Sequence, residues 1–359
     1  MLDRIQLENF RNHPATVLDG AGRFNLLVGD NGAGKTNVLE AISLFAPGRG
    51  LRRAALGDMA RAREPGGSAG GFAISARLGD VALGTAMRAG QPGRRIVHIN
   101  GAESSATRFA EWLGLAWLTP AMDRLFVEGA SARRRFLDRL VLALEPGHAS
   151  LAARYEAALR ERNRLLADAT APDPAWLDGL EAQLAETGAS LGAARAACVT
   201  RLGEALTGTP DQPFAQPTLT YRAETPPNPA ELAAAFASGR RRDRAAGRTL
   251  SGPHRDDLMV TLAAKNRPAA ECSTGEQKAM LIAIILAHAA LSDPERPRIL
   301  LLDEVAAHLD AARRAALFER LRALPGQYWL TGTELAPFEG IAGEAAVWRV
   351  SEGAVERLR

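Results

Sequence analysis

Cysteine, lysine and aromatic residues are all scarce in this chain of 359 residues. The two cysteines, Cys198 and Cys272, are too few for a disulfide framework, and their spacing matches no metal-binding motif. We therefore expect a reducing compartment, the cytoplasm. The longest apolar run, residues 280–291, is broken by His288 and is too short to cross a bilayer, so we expect no membrane segment. Residues 1–10 lack the apolar stretch of a signal peptide.

Lysine occurs only at positions 35, 265 and 278, and the rest of the 44 basic residues are arginine. Because this bias leaves so few lysines, their positions are candidates for roles that need a compact point charge. Against 41 acidic residues the net charge is +3. That balance permits a local basic surface for nucleic acid but does not demand one.

The pattern of apolar residues changes twice along the chain. Short apolar or alternating segments interleave with helices up to about residue 125 and again after about residue 250. Between them, alanine, leucine and arginine recur at helical spacing. This order predicts one discontinuous α/β domain, a mixed sheet with flanking helices formed by residues 1–125 and 246–359. A helical insertion at residues 126–245 interrupts it.

A glycine-rich segment between an apolar strand and a helix carries the strongest chemical signal. Glycines allow the backbone amides to face a polyphosphate, and the following helix adds its N-terminal dipole. The lysine would contact the outer phosphates of ATP, and the threonine hydroxyl would ligate Mg²⁺. An ordinary turn is the alternative, but the strand before it and the helix after it favour phosphate binding. This phosphate loop consists of Gly29, Asp30, Asn31, Gly32, Ala33, Gly34, Lys35 and Thr36.

A second chemical signal is the apolar segment 298–302, which is followed directly by Asp303 and Glu304. A continuous apolar run suits a parallel strand buried on both faces, and ligands bind at the carboxyl edge of such sheets. Asp303 is expected to hold Mg²⁺ together with Thr36, and Glu304 to orient and deprotonate the attacking water. Lys35 and Glu304 are thus the catalytic candidates. Acids after a buried strand also occur for structural reasons, but here they accompany a phosphate loop.

A third segment begins the apolar helix that precedes this strand. Its serine and glutamate fit a capping box, which is a purely structural role. The same helix N-terminus also makes an anion site. Its position before the acidic strand is that of the signature of ABC-type ATPases, which contacts the γ-phosphate held by another subunit. The signature residues are Ser273, Thr274, Gly275, Glu276 and Gln277.

The chain resembles the RecF family of bacterial recombination-repair ATPases, which are related to the chromosome-maintenance ATPases. The resemblance implies an ABC-type ATPase head and an ATP-dependent homodimer that binds duplex DNA near single-strand gaps. It also implies cooperation with RecR in recombinase loading, slow ATP hydrolysis, and ATP contacts by Arg11 and Asn12. Besides the phosphate loop and signature, the blocks that carry it are residues 10–12, 119–120, 133–138, 251–258 and 303–310.

Two departures from the family pattern leave roles open. Many ABC proteins place a histidine after the last strand to contact the γ-phosphate, but here Thr331 and Thr333 stand in that segment. One of these hydroxyls is therefore the expected γ-phosphate sensor, which fits slow hydrolysis. After Thr119 and Pro120 the family usually has glutamate, whereas this chain has alanine. Which residue couples that loop to the metal is left open.

Dense arginine runs are the candidates for DNA contact. Guanidinium groups that bind phosphates would give salt-dependent affinity with no sequence preference. A solvated helix face explains such runs equally well in an arginine-biased chain. The main run contains Arg240, Arg241, Arg242 and Arg244; a smaller one contains Arg49, Arg52 and Arg53.

Two other functions remain as alternatives, an ATPase subunit of a transporter and an ATP-dependent scaffold that does not hydrolyse ATP. The long interval between Thr36 and Ser273 argues against a transporter subunit, which carries a shorter helical insert. The insertion also lacks the extended heptads of long-armed chromosome proteins. The adjacent acids Asp303 and Glu304 argue against a scaffold without hydrolysis.

Overall fold

The computed structural model describes residues 1–61, 70–168, 173–208, 213–224, 228–291 and 296–359. In these ranges the chain forms two compact units, Met1–Met122 with His288–Arg359, and Asp123–Ala287. The sequence-based division instead placed residues 246–287 with the discontinuous α/β domain. The difference arises because residues 257–262 pair with residues 217–222 of the second unit in an antiparallel ladder.

The strands and helices are numbered in chain order. The strands are β1 (Leu2–Phe10), β2 (His13–Asp19), β3 (Phe24–Val28), β4 (Phe72–Leu78), β5 (Val81–Met87), β6 (Ile96–Ile99), β7 (Ala102–Ser104), β8 (Gly114–Leu118), β9 (Pro217–Arg222), β10 (Asp257–Leu262), β11 (Arg267–Pro268), β12 (Arg298–Leu302), β13 (Gln327–Gly332), β14 (Ala345–Ser351) and β15 (Ala354–Arg357). The helices are α1 (Lys35–Ser43), α2 (Leu56–Met59), α3 (Phe109–Trp112), α4 (Ala130–Leu144), α5 (His148–Ala167), α6 (Pro174–Thr207), α7 (Pro229–Ala246), α8 (Thr274–Ala290), α9 (Ala311–Ala323) and α10 (Glu339–Ala342).

Two sheets form the first unit. One has the order β15-β14-β3-β13-β12-β8, and all its neighbouring pairs are parallel except β14 with β15. The other is antiparallel, with the order β2-β1-β4-β5-β6-β7. Because β3, β12 and β13 are parallel neighbours, the segments that follow them meet at one edge of the first sheet.

Burial explains why these strands form. Every residue of β3, β8, β12 and β13 is buried, as expected for parallel strands covered on both faces. In β1 only some residues are buried: Leu2, Ile5 and Leu7 face the core, the polar residues between them are exposed or half-buried, and the register shifts between Leu2 and Arg4. Trp329 and Trp348 stack at 5.4 Å between ring centres within the same core, which fixes β13 and β14 close to β3.

The second unit is mainly helical, as predicted for the insertion. Asp173 and Asn228 cap α6 and α7 by accepting bonds from backbone amides two residues ahead, each at 2.9 Å, and a proline follows each cap. Pro172, which the sequence pattern marks as a helix breaker together with Pro174, lies outside the described residues. A small sheet of order β11-β10-β9 completes the unit.

The sequence predicts the fold class correctly, since the structure has a mixed sheet with flanking helices and an inserted helical segment. The apolar segment 298–302, predicted to be a buried parallel strand, is β12 with the same bounds. The strands that were not predicted are β2, β7, β8, β9, β11, β14 and β15. Among the described residues, none of the helices combines the length and apolar character needed to cross a membrane.

Candidate functional site

The phosphate loop runs from the end of β3 to the start of α1, and its backbone requires glycine. Gly29 has φ +156°, and a Cβ there would lie 2.1 Å from the carbonyl oxygen of Val350. Gly34 has φ +118°, and a Cβ there would lie 2.7 Å from Asn12 Oδ1. Side chains at these positions would force neighbouring backbone or buried groups to move. The phosphate loop is therefore tightly folded, and its backbone amides lie directly before the N-terminus of α1, an arrangement that favours an anion.

Lys35 lies over this cradle. Its Nζ donates to the carbonyl oxygens of Gly29 at 2.6 Å and of Asp30 at 2.8 Å, and the residue is only 4% exposed. Burial lowers the pKa of Lys35, while the charges of Glu304, Asp303 and Asp30 oppose that shift. The ammonium group is held at the loop, where phosphate oxygens would exchange for the two carbonyls.

Asp303 joins the phosphate loop to the neighbouring strands. Its Oδ1 accepts hydrogen bonds from the hydroxyls of Thr36 at 2.9 Å and Thr331 at 2.8 Å. Burial raises the pKa of Asp303, and the two hydroxyl donors act in the opposite direction. A hydroxyl and a buried carboxylate in contact are oxygen ligands of the kind Mg²⁺ prefers, so these residues fit the expected ion.

Glu304 follows in an unusual backbone conformation. Its φ is +52°, in the left-handed region that costs a non-glycine residue roughly 1–3 kcal/mol. Its backbone N–H donates to Thr331 Oγ1 at 2.9 Å, so one hydroxyl anchors both acids. The turn after β12 is therefore held in place by β13, and the Glu304 side chain, which is half-buried, is directed by that turn.

The two candidate γ-phosphate sensors have different environments. Thr331 is 1% exposed, and its hydroxyl proton is already donated to Asp303. Thr333 is exposed and lines a cavity of about 760 Å³ together with residues 29–33 of the phosphate loop. We therefore assign Thr331 to positioning the acids and keep Thr333 as the sensor candidate.

Thr331→Val is expected to lower the free energy of unfolding by about 1–3 kcal/mol, because it leaves the Glu304 amide without its acceptor and removes one of the two hydroxyl donors to Asp303. The hydrolysis rate should fall with it, since both acids lose their anchor. Urea unfolding and turnover measurements test this. Thr331→Ser keeps the hydroxyl and is the matched control. Equal losses in the two variants would show that the hydroxyl does not matter.

Arg11 and Asn12, predicted to contact ATP, lie beside the loop. The Nε and Nη2 atoms of Arg11 donate to the two Glu40 carboxylate oxygens at 2.8 Å each, which ties β1 to the buried face of α1. Asn12 Nδ2 donates to the Ala33 carbonyl at 2.9 Å, and its Oδ1 accepts from Asn37 at 2.7 Å. Both predicted residues line a second cavity of about 600 Å³.

The signature segment lies in the second unit, at the start of α8. Glu276 Oε2 accepts from the Ser273 amide and hydroxyl, each at 2.9 Å, and the Glu276 amide donates back to Ser273 Oγ at 3.3 Å. This is the capping box that the sequence predicts. The hydrogen bond from Lys265, followed by those from Ser273, lowers the pKa of Glu276 to about 2. Ser273, Thr274 and Gly275 are exposed, so the helix N-terminus is open to an anion.

Comparison with known proteins identifies the family. The family model described as RecF/RecN/SMC N terminal domain matches residues 1–331. The DNA replication and repair protein RecF of Mesorhizobium japonicum is 50% identical over 372 residues, covering 99% of this chain and 97% of that protein. The chain belongs to the RecF family.

Other RecF proteins and solved structures agree. The DNA replication and repair protein RecF of Rhizobium leguminosarum bv. trifolii is 47% identical, covering 99% of this chain and 98% of the relative. A solved RecF–ATP structure, described as a recombination mediator protein in the RecFOR pathway, shares the fold with a TM-score of 0.86 at 22% identity, covering 100% and 97% of the two chains. An Smc head domain from Pyrococcus furiosus has a TM-score of 0.55 at 16% identity, covering 99% and 95%.

Part of the arginine run of this RecF-family chain is engaged within the second unit. Arg240 contacts Glu181 and Asp178, and Glu181 also pairs with the fully buried Arg162 at 3.0 Å. These carboxylates raise the pKa of Arg240, chiefly through its hydrogen bond to Glu181. The other members of the run, Arg241, Arg242 and Arg244, are exposed. Arg242 donates to Ser251 Oγ at 3.0 Å, and Arg244 donates to the Asp168 carbonyl at 2.8 Å. Arg240 therefore holds α7 to α6 rather than facing a ligand.

Sequence reasoning missed several residues that position the loop. His13 is buried, with Nε2 at 3.1 Å from the Gly34 carbonyl and Nδ1 at 3.0 Å from Thr16 Oγ1. Burial lowers the pKa of His13, which favours a neutral ring. Glu40 is buried and accepts from Arg52 as well as Arg11. An acid inside an apolar helix was the one signal in the sequence that could have pointed to Glu40.

Proposed function

We propose that this RecF-family chain is an ATP-dependent DNA-binding protein of recombinational repair. It binds duplex DNA near single-strand gaps as a homodimer that encloses ATP, and it hydrolyses ATP slowly. The observation that carries the proposal is the hydrogen-bonded unit of Thr36, Asp303, Thr331 and the Glu304 amide beside Lys35. Together with the phosphate-loop amides and the Glu304 carboxylate, this unit would supply the groups that phosphoryl transfer to water needs from one subunit.

Each group has a distinct task in hydrolysis. The amides of the phosphate loop and Lys35 bind the phosphates, and Thr36 with Asp303 would hold Mg²⁺. Mg²⁺, when bound with ATP, neutralises charge on the phosphate oxygens. Glu304 orients the attacking water and accepts its proton. Thr331 keeps both acids in position, and Thr333 contacts the γ-phosphate.

The second copy supplies the remaining contacts. The exposed N-terminus of α8 presents Ser273 and Gly275, and such a helix start favours a phosphate. In a head-to-tail dimer each copy would contribute its phosphate loop to one ATP and its signature to the other. ATP would then favour the dimer, because binding energy from both copies converges on one triphosphate.

The relatives support a DNA-repair role over that of a transporter subunit, since the similar proteins are named for DNA replication and repair. The solved RecF–ATP structure is described as part of the RecFOR pathway. We propose RecR as the partner through which the ATP-bound dimer promotes recombinase loading on gapped DNA.

Fluorescence anisotropy with gapped duplex, intact duplex and single strands tests the proposal, each with ATP, ADP or no nucleotide. We expect tight binding of gapped duplex with ATP only. If about six phosphates are contacted, affinity should fall by about a thousand-fold between about 50 mM and about 200 mM salt. Binding that is indifferent to nucleotide, or flat across salt, would contradict the proposal. Turnover measured in parallel separates slow hydrolysis from a scaffold that only binds ATP.

A further inference from the structure

A cluster of charged side chains surrounds residues 252–257 in the second unit, and most of its members are paired. Arg133 forms a two-pronged ion pair with Asp257, with both distances at 2.8 Å. Arg195 forms another with Asp138, at 2.7 and 2.9 Å. The third carboxylate, that of Asp256, accepts hydrogen bonds from the Glu224 amide at 2.8 Å and from the Tyr221 hydroxyl. It also lies 3.8 Å from Nη1 of Arg195. The acids of the cluster are therefore fully engaged.

Two guanidinium groups of the cluster differ from their neighbours. Within the described ranges, neither Arg134 nor Arg255 has a carboxylate at ion-pair distance. Arg134 is half-buried, and its Nη1 donates to the backbone carbonyl of Asp256 at 2.6 Å. That bond leaves its Nε and Nη2 donors for another acceptor. Arg255 is exposed at the end of the turn 253–255.

The charges of this cluster also favour an anion. Burial lowers the pKa of Arg134, and the positive charges of Arg195 and Arg255 lower it further. The negative charges of Asp257 and Asp256 act in the opposite direction but do not cancel the shift. Like charges in proximity disfavour the cationic form, so an anion bound between them would relieve the repulsion. The acids cannot supply that anion, because each already has its partners.

The turn that carries Arg255 is rigid. His254 accepts from the Tyr155 hydroxyl at 2.7 Å through Nδ1 and donates to the Thr249 carbonyl at 3.0 Å through Nε2. Gly252 has φ +118°, and a Cβ there would lie 2.9 Å from the Tyr155 hydroxyl oxygen. The Arg255 amide donates back to Gly252 at 2.9 Å. Binding at Arg255 therefore does not require the backbone of this turn to become ordered.

We propose that Arg134 and Arg255 form a binding site for a backbone phosphate of duplex DNA. The inference rests on the proposed function, and it locates the DNA contact on the second unit. Two guanidinium forks, one anchored to the backbone and one exposed, suit the two free oxygens of a phosphodiester and read no base sequence. Arg240, the first residue of the sequence-predicted basic run, instead forms ion pairs with Asp178 and Glu181.

Arg255→Gln and Arg134→Gln, singly and together, test the site in the full-length protein with ATP and gapped duplex. Each single change should weaken binding by about ten-fold, because a charge-assisted hydrogen bond is lost. The slope of log affinity against log salt should become shallower by about 0.9 for each lost contact. The matched control is Arg160→Gln, which removes the same charge from a side chain that is 72% exposed on α5. The control should bind as the wild type does.

The outcomes separate this inference from the proposed function. Failure of the wild-type protein to bind DNA with ATP would overturn the proposed function itself. If the wild-type protein binds DNA with ATP, and both variants bind it with the same affinity and the same salt slope, only the phosphate site is overturned. Thermal melting checks that Arg134→Gln is folded. Arg255 has no side-chain bond in the described structure to lose, so that variant decides the matter if Arg134→Gln unfolds.

Discussion

Glu304→Gln is expected to reduce the ATP hydrolysis rate by about a hundred-fold to ten-thousand-fold, the usual contribution of a general base. Glutamine has nearly the same shape but cannot accept the proton of the attacking water. The backbone bond from residue 304 to Thr331 is retained, so the left-handed turn should survive. ATP binding should be unchanged, because the phosphate loop, Lys35 and Asp303 are intact.

Because the ATP state would persist, Glu304→Gln should also accumulate a dimer. Light scattering with ATP should give the mass of two chains, and scattering without nucleotide that of one. Glu319→Gln, which removes the same charge from an exposed position on α9, is the matched control and should hydrolyse ATP at the wild-type rate. Wild-type turnover in Glu304→Gln would remove Glu304 from the mechanism.

The chemical groups of the site were predictable because each lies in a short continuous segment. A strand, a glycine-rich turn and a helix are recognisable locally, and so is an apolar strand that ends in two acids. The capping box of the signature is also local, since Ser273 and Glu276 are three residues apart. In each case the residue types that carry the chemistry also determine the local backbone.

The supporting contacts were not predictable, because they join distant parts of the chain. Thr16 donates to the Gly353 carbonyl at 3.1 Å, and Glu40 accepts from Arg11, which lies 29 residues earlier. Neither contact follows from periodicity or spacing. Strands β14 and β15 were missed for a related reason, since pairing with β3 and not a local alternation defines β14 as part of the parallel sheet.

Charge density and position in the chain were also weak guides to role. The segment 331–333 predicted a γ-phosphate sensor, but only the structure shows that the Thr331 hydroxyl, at the end of β13, is bonded to Asp303. The arginine run predicted a DNA surface, but the sequence does not show that Arg240 faces Glu181. Pairing is a property of the packed fold, so it is invisible in a residue count.

An active site shared between two copies should be disabled by a change in either its phosphate loop or its signature. Lys35→Ala removes the ammonium group of the phosphate loop, and Ser273→Arg places a bulky cation at the exposed start of α8. Each variant alone should lose nearly all hydrolysis, because both sites of its homodimer are damaged. Loss of the Ser273 cap costs about 1 kcal/mol, so the protein should remain folded.

Mixing the two inactive variants in equal amounts is the most direct test of the shared site. A mixed dimer contains one intact site, formed by the phosphate loop of the Ser273→Arg copy and the signature of the Lys35→Ala copy. With random assortment of a symmetric dimer, hydrolysis should recover to about a quarter of the wild-type rate. Mixing Lys35→Ala with the double variant is the control, because no pairing then yields an intact site. Recovery in the first mixture alone is the predicted result, and a first mixture as inactive as its separate components would contradict the account.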